Sequence, residues 1–277
     1  MEIMKNIWPI RRTLLKSRNL ISAPNRFERM LSLAEIRFNH LLLPHKPPES
    51  NIKDYNEFLH SIALVHPELS ALLESKGEAE QAVRTILESF EKIRKDNENL
   101  PFPLSYNADK SMAMLCYALT RYLSPAVVVE TGVAYGIATA LILLAMERNN
   151  FGRLISIDLP SLSDPNGSYI GMAVPKHLMN RWRLHLGSSR RWLPKVVSEV
   201  GNIGLFIADD ANIYTLQRYE FTTVWPKLSA VGAALVNNIS NRFWKVLKST
   251  EMGRVYTVWQ MEKPSCVTGL VLKKQPL

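Results

Sequence analysis

The stretch "AVVVETGVAYGIATALILLAM" constrains this chain more than any other. A β-branched run ends at Glu130, glycines at 132 and 136 make a turn, and a long apolar run follows. β-Branched residues fit a buried pleated surface. Glycine lets the backbone turn tightly and approach a ligand. The spacing predicts a buried strand, a turn and a buried helix, the opening unit of an α/β sheet. The longest apolar window, residues 133–146, falls short of the roughly 20 residues a membrane span requires.

The chain on either side agrees. After residue 107 helical and strand-like runs alternate: "RLISID", "SSRRWLPKVVSEV", "IGLFIAD", "TLQRYEFTTVWPKL" and "AALVNNI". Such alternation predicts a parallel sheet covered on both faces. The last two runs, "RVYTVWQM" and "SCVTGLVLKK", have no helix between them, which predicts an antiparallel strand near an edge. Before residue 105 the signals are helical. "EAEQAVRTILESFEKIRK" puts Val83, Ile86, Leu87, Phe90 and Ile93 on one face, and Pro67 opens a further helix. The expected organisation is a helical extension over residues 1–105, serving as lid or dimerisation element, and a catalytic domain over 106–277.

Cys116 and Cys266 lie far apart in apolar surroundings, without zinc spacing, as expected of reduced cysteines in a cytoplasmic protein. No secretion signal is evident in the basic N-terminal segment. The formal charge of +9 is partly concentrated there. We read that segment as a solvated basic helix against a partner subunit, and "FERMLSLAEIRFNHLLL" as the homodimer contact. Nothing resembles a nucleic-acid-binding motif.

Acids mark the expected strand ends. Glu130 precedes the first glycine, where a carboxylate repels phosphate but suits a cation, as in the sulfonium and ammonium of S-adenosylmethionine. Asp158 closes "RLISID", where an acid accepts both ribose hydroxyls. Gly187 and Ser188 follow the next strand, at the adenine edge or as a helix cap.

Together "ETGVAYGIAT", "ISIDLP", "GMAVPKHLMNRWRLHLGSSRRWLP", "IGLFIADDANIY" and "VWPKLSAVGAALVNNI" resemble the class I S-adenosylmethionine-dependent methyltransferases, in the small-molecule O-methyltransferase branch of macrocin and catechol type. The likeness runs from about Ala108 to Lys274. It implies a Rossmann-like seven-stranded sheet, mostly parallel with one antiparallel strand. It places Glu130, Gly132 and Gly136 around the methionine and ribose portions, Asp158 at the ribose and Ser188 near the adenine, with Ala134 and Asp209 as further cofactor-binding candidates. The family often has aspartate where Ser188 stands.

This chain also departs from the resemblance at the fourth and fifth strand ends. There the branch usually has His-Asp-Ser-x-His-x-Tyr and, at the fifth strand end, Asp-Asp or Asp-Asn. Here Ala208-Asp209-Asp210-Ala211-Asn212-Ile213-Tyr214 and Asn237-Asn238 stand instead. Amides replace carboxylates that a hard dication prefers, so transfer without a metal is expected. Asp209, Asp210 and Tyr214 are the catalytic candidates. Tyr169, His177, Asn212 and Asn238 are the acceptor-binding candidates, with His185 near the segment "SLSDPNGSYIGMAVP", read as a lid. The expected activity is O-methylation of a small molecule in specialised metabolism. The alternative is an S-adenosylmethionine-binding protein with lost or altered chemistry, as a partner subunit or a cyclisation or rearrangement enzyme.

Overall fold

A computed structural model describes residues 24–49, 52–97, 100–249, 253–263 and 265–273. The basic segment 1–23 lies outside the described residues.

The sheet is seven-stranded, in the order β3-β2-β1-β4-β5-β7-β6. Its strands are β1 (Val127–Thr131), β2 (Arg153–Asp158), β3 (Trp182–Leu186), β4 (Ile203–Ala208), β5 (Leu228–Val236), β6 (Gly253–Trp259) and β7 (Val267–Lys273). β1 to β5 are parallel, and β7 runs antiparallel between β5 and β6.

Successive residues of a strand face opposite sides, and the two cores follow that parity. Val128, Leu154, Leu205, Ile207, Ala233 and Leu235 pack into one core. Val127, Val129, Ile155, Phe206, Ala234 and Val236 pack into the other. The first core is covered by α2 (Tyr55–Ala63), α3 (Pro67–Leu73), α4 (Glu78–Lys95), α5 (Lys110–Leu123) and α6 (Ile137–Asn149). The second is covered by α7 (Ser189–Glu199), α8 (Tyr214–Val224) and α9 (Asn241–Lys248). Phe58, Leu69 and Phe90 of the N-terminal helices share their core with Leu115 and Leu141, so that core continues across residue 105.

Two local devices set the helix starts. Asp54 and Asp109 accept backbone N–H groups at the starts of α2 and α5. Asp109 also accepts from Glu262 N at 2.7 Å, which ties the β6–β7 hairpin to α5. α1 (Pro24–Leu42) lies across the C-terminal ends of the parallel strands, the edge where open α/β sheets bind ligands.

Candidate active site

The strand ends meet at one cavity of about 490 Å³. Backbone bonds draw its floor together: Gly132 N to Ile157 O at 2.9 Å, Asp209 N to Thr131 O at 2.8 Å and Asn237 N to Ala208 O at 2.8 Å. Gly132 has φ +82°, and a Cβ there would stand 2.2 Å from Asp209 O. The glycine is needed where β1 and β4 close upon each other. Gly132, Ala134, Asp158, Ser188, Asp209, Asp210 and Asn212 all line the cavity.

Asp158 Oδ2 accepts from Val133 N at 3.0 Å and Ala134 N at 2.9 Å. The carboxyl thereby fixes the glycine turn while still facing the cavity. Burial pushes its pKa up, against the pull of those N–H groups and of the Arg29 charge.

Asp209 lies just beyond β4. Asn237 Nδ2 donates to its Oδ1, and Gln260 Nε2 donates to Asn237 Oδ1. Gln260 Nε2 also donates to Thr268 Oγ1 at 3.2 Å. This chain of amides turns an N–H group, not an oxygen, toward Asp209. Burial raises Asp209 to about 7, against the Asn237 hydrogen bond and the Lys263 charge. Asp210 is raised to about 6 by burial, offset in part by a hydrogen bond with Glu220. Glu220 is wholly buried on α8, and burial beside Asp210 pushes it well above the usual carboxylate range. Thr131 Oγ1 donates to Glu220 Oε2 at 3.0 Å.

The donor set beside Asp209 is poor in free oxygens for a magnesium ion. The ion needs several oxygen ligands, whereas Asn237 presents a donor to Asp209 and its oxygen is taken by Gln260.

Several expected site residues stand elsewhere. Glu130 is fully buried on the α6 side of β1, accepting from Thr139 Oγ1 at 2.9 Å and Ser156 Oγ at 2.6 Å. Strand parity turns it from the cavity and brings Thr131 there instead. Gly136 meets Gly171, where a Cβ would lie 2.7 Å from Gly171 Cα. Tyr214 lies over a separate depression beside Lys46 and Asn241. His177 is exposed, 3.7 Å from Glu147. His185 packs against Trp192. Tyr169 packs against the first core, and the Asn238 carbonyl accepts from Gln217 Nε2 at 3.2 Å. Apart from Gly136, which has no side chain, none of these residues turns its side chain to the cavity.

Ser161 and Ile170 of the segment read as a lid line the cavity, while its C-terminal part is tied to the glycine turn. Gly171 N and Ala173 N donate to Ala134 O and Tyr135 O at 3.0 and 2.8 Å, and Ala173 is wholly buried. α1 borders the cavity as well, through Glu28, Ser32 and Glu35. Arg190 on α7 binds Glu35, and Thr215 Oγ1 donates to Glu35 Oε1 at 2.7 Å. Arg191 pairs with Glu28 at 2.9 Å.

The opposite wall carries Phe102 and Tyr106. Phe102 stacks on Tyr135 with ring centroids 4.0 Å apart, and Tyr135 Oη donates to Phe102 O at 2.6 Å. Lys263, at the tip of the tied hairpin, donates to Ser105 O at 2.8 Å and Asn107 O at 2.9 Å. Sequence reading passes over this wall because "LPFPLSY" has the composition of a connector.

The comparisons with known proteins fit this arrangement. Residues 129–239 match a family described as Methyltransferase domain. That segment of the chain is similar to the methyltransferase family. The chain's fold is the class I methyltransferase fold, shared with solved structures at low identity. The O-methyltransferase TomG of Streptomyces achromogenes, involved in tomaymycin synthesis and solved in complex with SAM, has 13% identity and a TM-score of 0.51, over 79% of this chain and 96% of that one. An O-methyltransferase from Bacillus cereus, in complex with SAH, has 13% identity and a TM-score of 0.51, over 78% and 100%. The SAH-bound Podospora anserina methyltransferase PaMTH1 has 14% identity and a TM-score of 0.51, over 82% and 100%. No curated protein matches the chain. No helix among the described residues is long and apolar enough to cross a membrane.

Proposed function

We propose that the protein is an S-adenosylmethionine-dependent O-methyltransferase acting on a small molecule of specialised metabolism without a metal. One observation carries the reading: Asp209, a carboxyl poised near neutral pH, shares a cavity with the Gly132–Ala134 turn and Asp158. A base is most effective when its pKa lies near the working pH.

When bound, S-adenosylmethionine supplies an electrophilic methyl group on a sulfonium. Asp158 would accept from the ribose hydroxyls, and the Gly132–Ala134 turn would let the backbone approach. Asp209 would take the proton of the acceptor hydroxyl. The Asn237 amide keeps Asp209 in place, and Lys263 favours its ionised form. Phe102 and Tyr106 offer the acceptor a flat apolar wall. A phenolic hydroxyl fits this site best. Its pKa near 10 lies about three units above Asp209, whereas an aliphatic alcohol lies close to water at about 16.

Asp158→Ala is expected to weaken binding of S-adenosylhomocysteine by about 10- to 100-fold, the scale of charge-assisted contacts to two hydroxyls. Titration calorimetry on both proteins measures it. A wild-type protein with no affinity for either form of the cofactor would remove the reading.

The same reading includes a homodimer through α1. Phe27, Leu31, Phe38 and Leu41 are 62%, 55%, 57% and 80% exposed, an apolar face that pairing of two copies would cover. Light scattering is expected to give twice 31.5 kDa. A mass near 31.5 kDa at working concentrations counts against it.

A further inference from the structure

We infer that Glu28, on the helix that borders the cavity, is the carboxylate that recognises the exocyclic amino group of the cofactor's adenine. The inference rests on the cofactor reading above and adds a specificity determinant from outside the matched domain.

An adenine edge offers one donor, the 6-amino group, beside one ring acceptor. The site must offer an acceptor beside a donor. Gly187 and Ser188 follow β3 and line the cavity, where the cofactor reading puts the adenine. Ser188 offers only a hydroxyl there, and that hydroxyl caps no backbone group of α7. A carboxylate comes from α1. Glu28 Oε2 accepts from Ser188 N at 2.6 Å, although the two residues lie 160 positions apart. Arg191 Nη1 holds Glu28 Oε1 at 2.9 Å.

The carboxylate is therefore fixed from two sides and lines the cavity. Each of its oxygens has room for about two hydrogen bonds, so acceptor capacity remains toward a ligand. Arg191 is itself anchored, donating to Leu186 O at 2.7 Å and Asn25 Oδ1 at 3.2 Å. Glu35 clamps α1 independently through Arg190 and Thr215. Fastening the helix thus does not require a carboxylate at position 28. A 6-oxo purine would turn a carbonyl oxygen toward Glu28, acceptor against acceptor, and such mismatches discriminate strongly when buried.

Calorimetry with S-adenosylhomocysteine and its 6-oxo counterpart, S-inosylhomocysteine, tests this. The wild-type protein is expected to prefer the 6-amino ligand by about tenfold or more. Glu28→Gln is expected to lose most of that preference. Glu28→Ala should do the same and serves if the glutamine variant fails to fold. Glu35→Gln, which loosens the same helix, should weaken both ligands equally and leave the preference intact. Retention of the preference in both Glu28 variants, equal losses for both ligands, or tighter binding of S-adenosylhomocysteine would overturn the inference alone. Wild-type protein that binds neither ligand overturns the cofactor reading and this inference with it.

Discussion

Asp209→Asn is expected to lower kcat by about 10²- to 10⁴-fold on a phenolic acceptor, what a positioned general base contributes. Asparagine matches the shape of aspartate but cannot accept the proton. S-Adenosylhomocysteine affinity should stay within a few-fold, since Asp158 and the glycine turn remain. In the wild type, the rate should rise with pH through about 7, where Asp209 ionises, and fall away below it. That inflection should vanish in the variant. A chelator should leave the wild-type rate unchanged, because Asn237 turns its N–H toward Asp209 and gives its oxygen to Gln260. Loss of activity with the chelator and recovery with magnesium would reject the metal-free mechanism. Full activity of Asp209→Asn would remove Asp209 from it and direct attention to Asp210.

What the sequence revealed depended on how local each feature is. Gly132, Asp158 and Asp209 could be found because strand ends converge in a parallel sheet, and hydrophobic runs mark those ends. The alternation of strands and helices in turn follows from short-range periodicity. Glu130 was misplaced by a single step of strand parity. "VVVET" is apolar on both faces, so nothing in the run says which neighbour faces the ligand. Thr131, its neighbour, took the cavity position. Asn237 was legible as a strand-end amide, but its orientation depends on Gln260, which belongs to another strand's end. Glu28 and Glu35 were beyond reach for the same reason. Their partners at Ser188, Arg190 and Thr215 are distant in the chain, and no pattern within α1 announces them. Nothing in the sequence around Glu220 sets it apart, and only the fold brings it against Asp210.

Glu130→Gln is expected to stabilise the ligand-free protein at neutral and alkaline pH. An ordinary glutamate ionises near 4.5, but burial holds Glu130 protonated up to about 8. The hydroxyls of Ser156 and Thr139 favour its charged form and do not outweigh that burial. Between those values the folded state binds a proton that the unfolded state has released. Stability from this group is therefore complete below about 4.5 and declines as pH rises through about 8. At pH 7 the loss relative to pH 4 amounts to about 3 kcal/mol. Asp209 and Asp210, raised from 3.8 to about 7 and about 6, act in the same direction. Glutamine keeps the volume and an acceptor for the two hydroxyls, and it carries no charge at any pH. Thermal unfolding followed from pH 5 to pH 8 should show a falling Tm in the wild type and a shallower fall in the variant. The gap should widen toward pH 8. Parallel curves would show that Glu130 ionises normally in the fold, and a lower Tm for the variant at pH 8 would show that its negative charge is stabilising there.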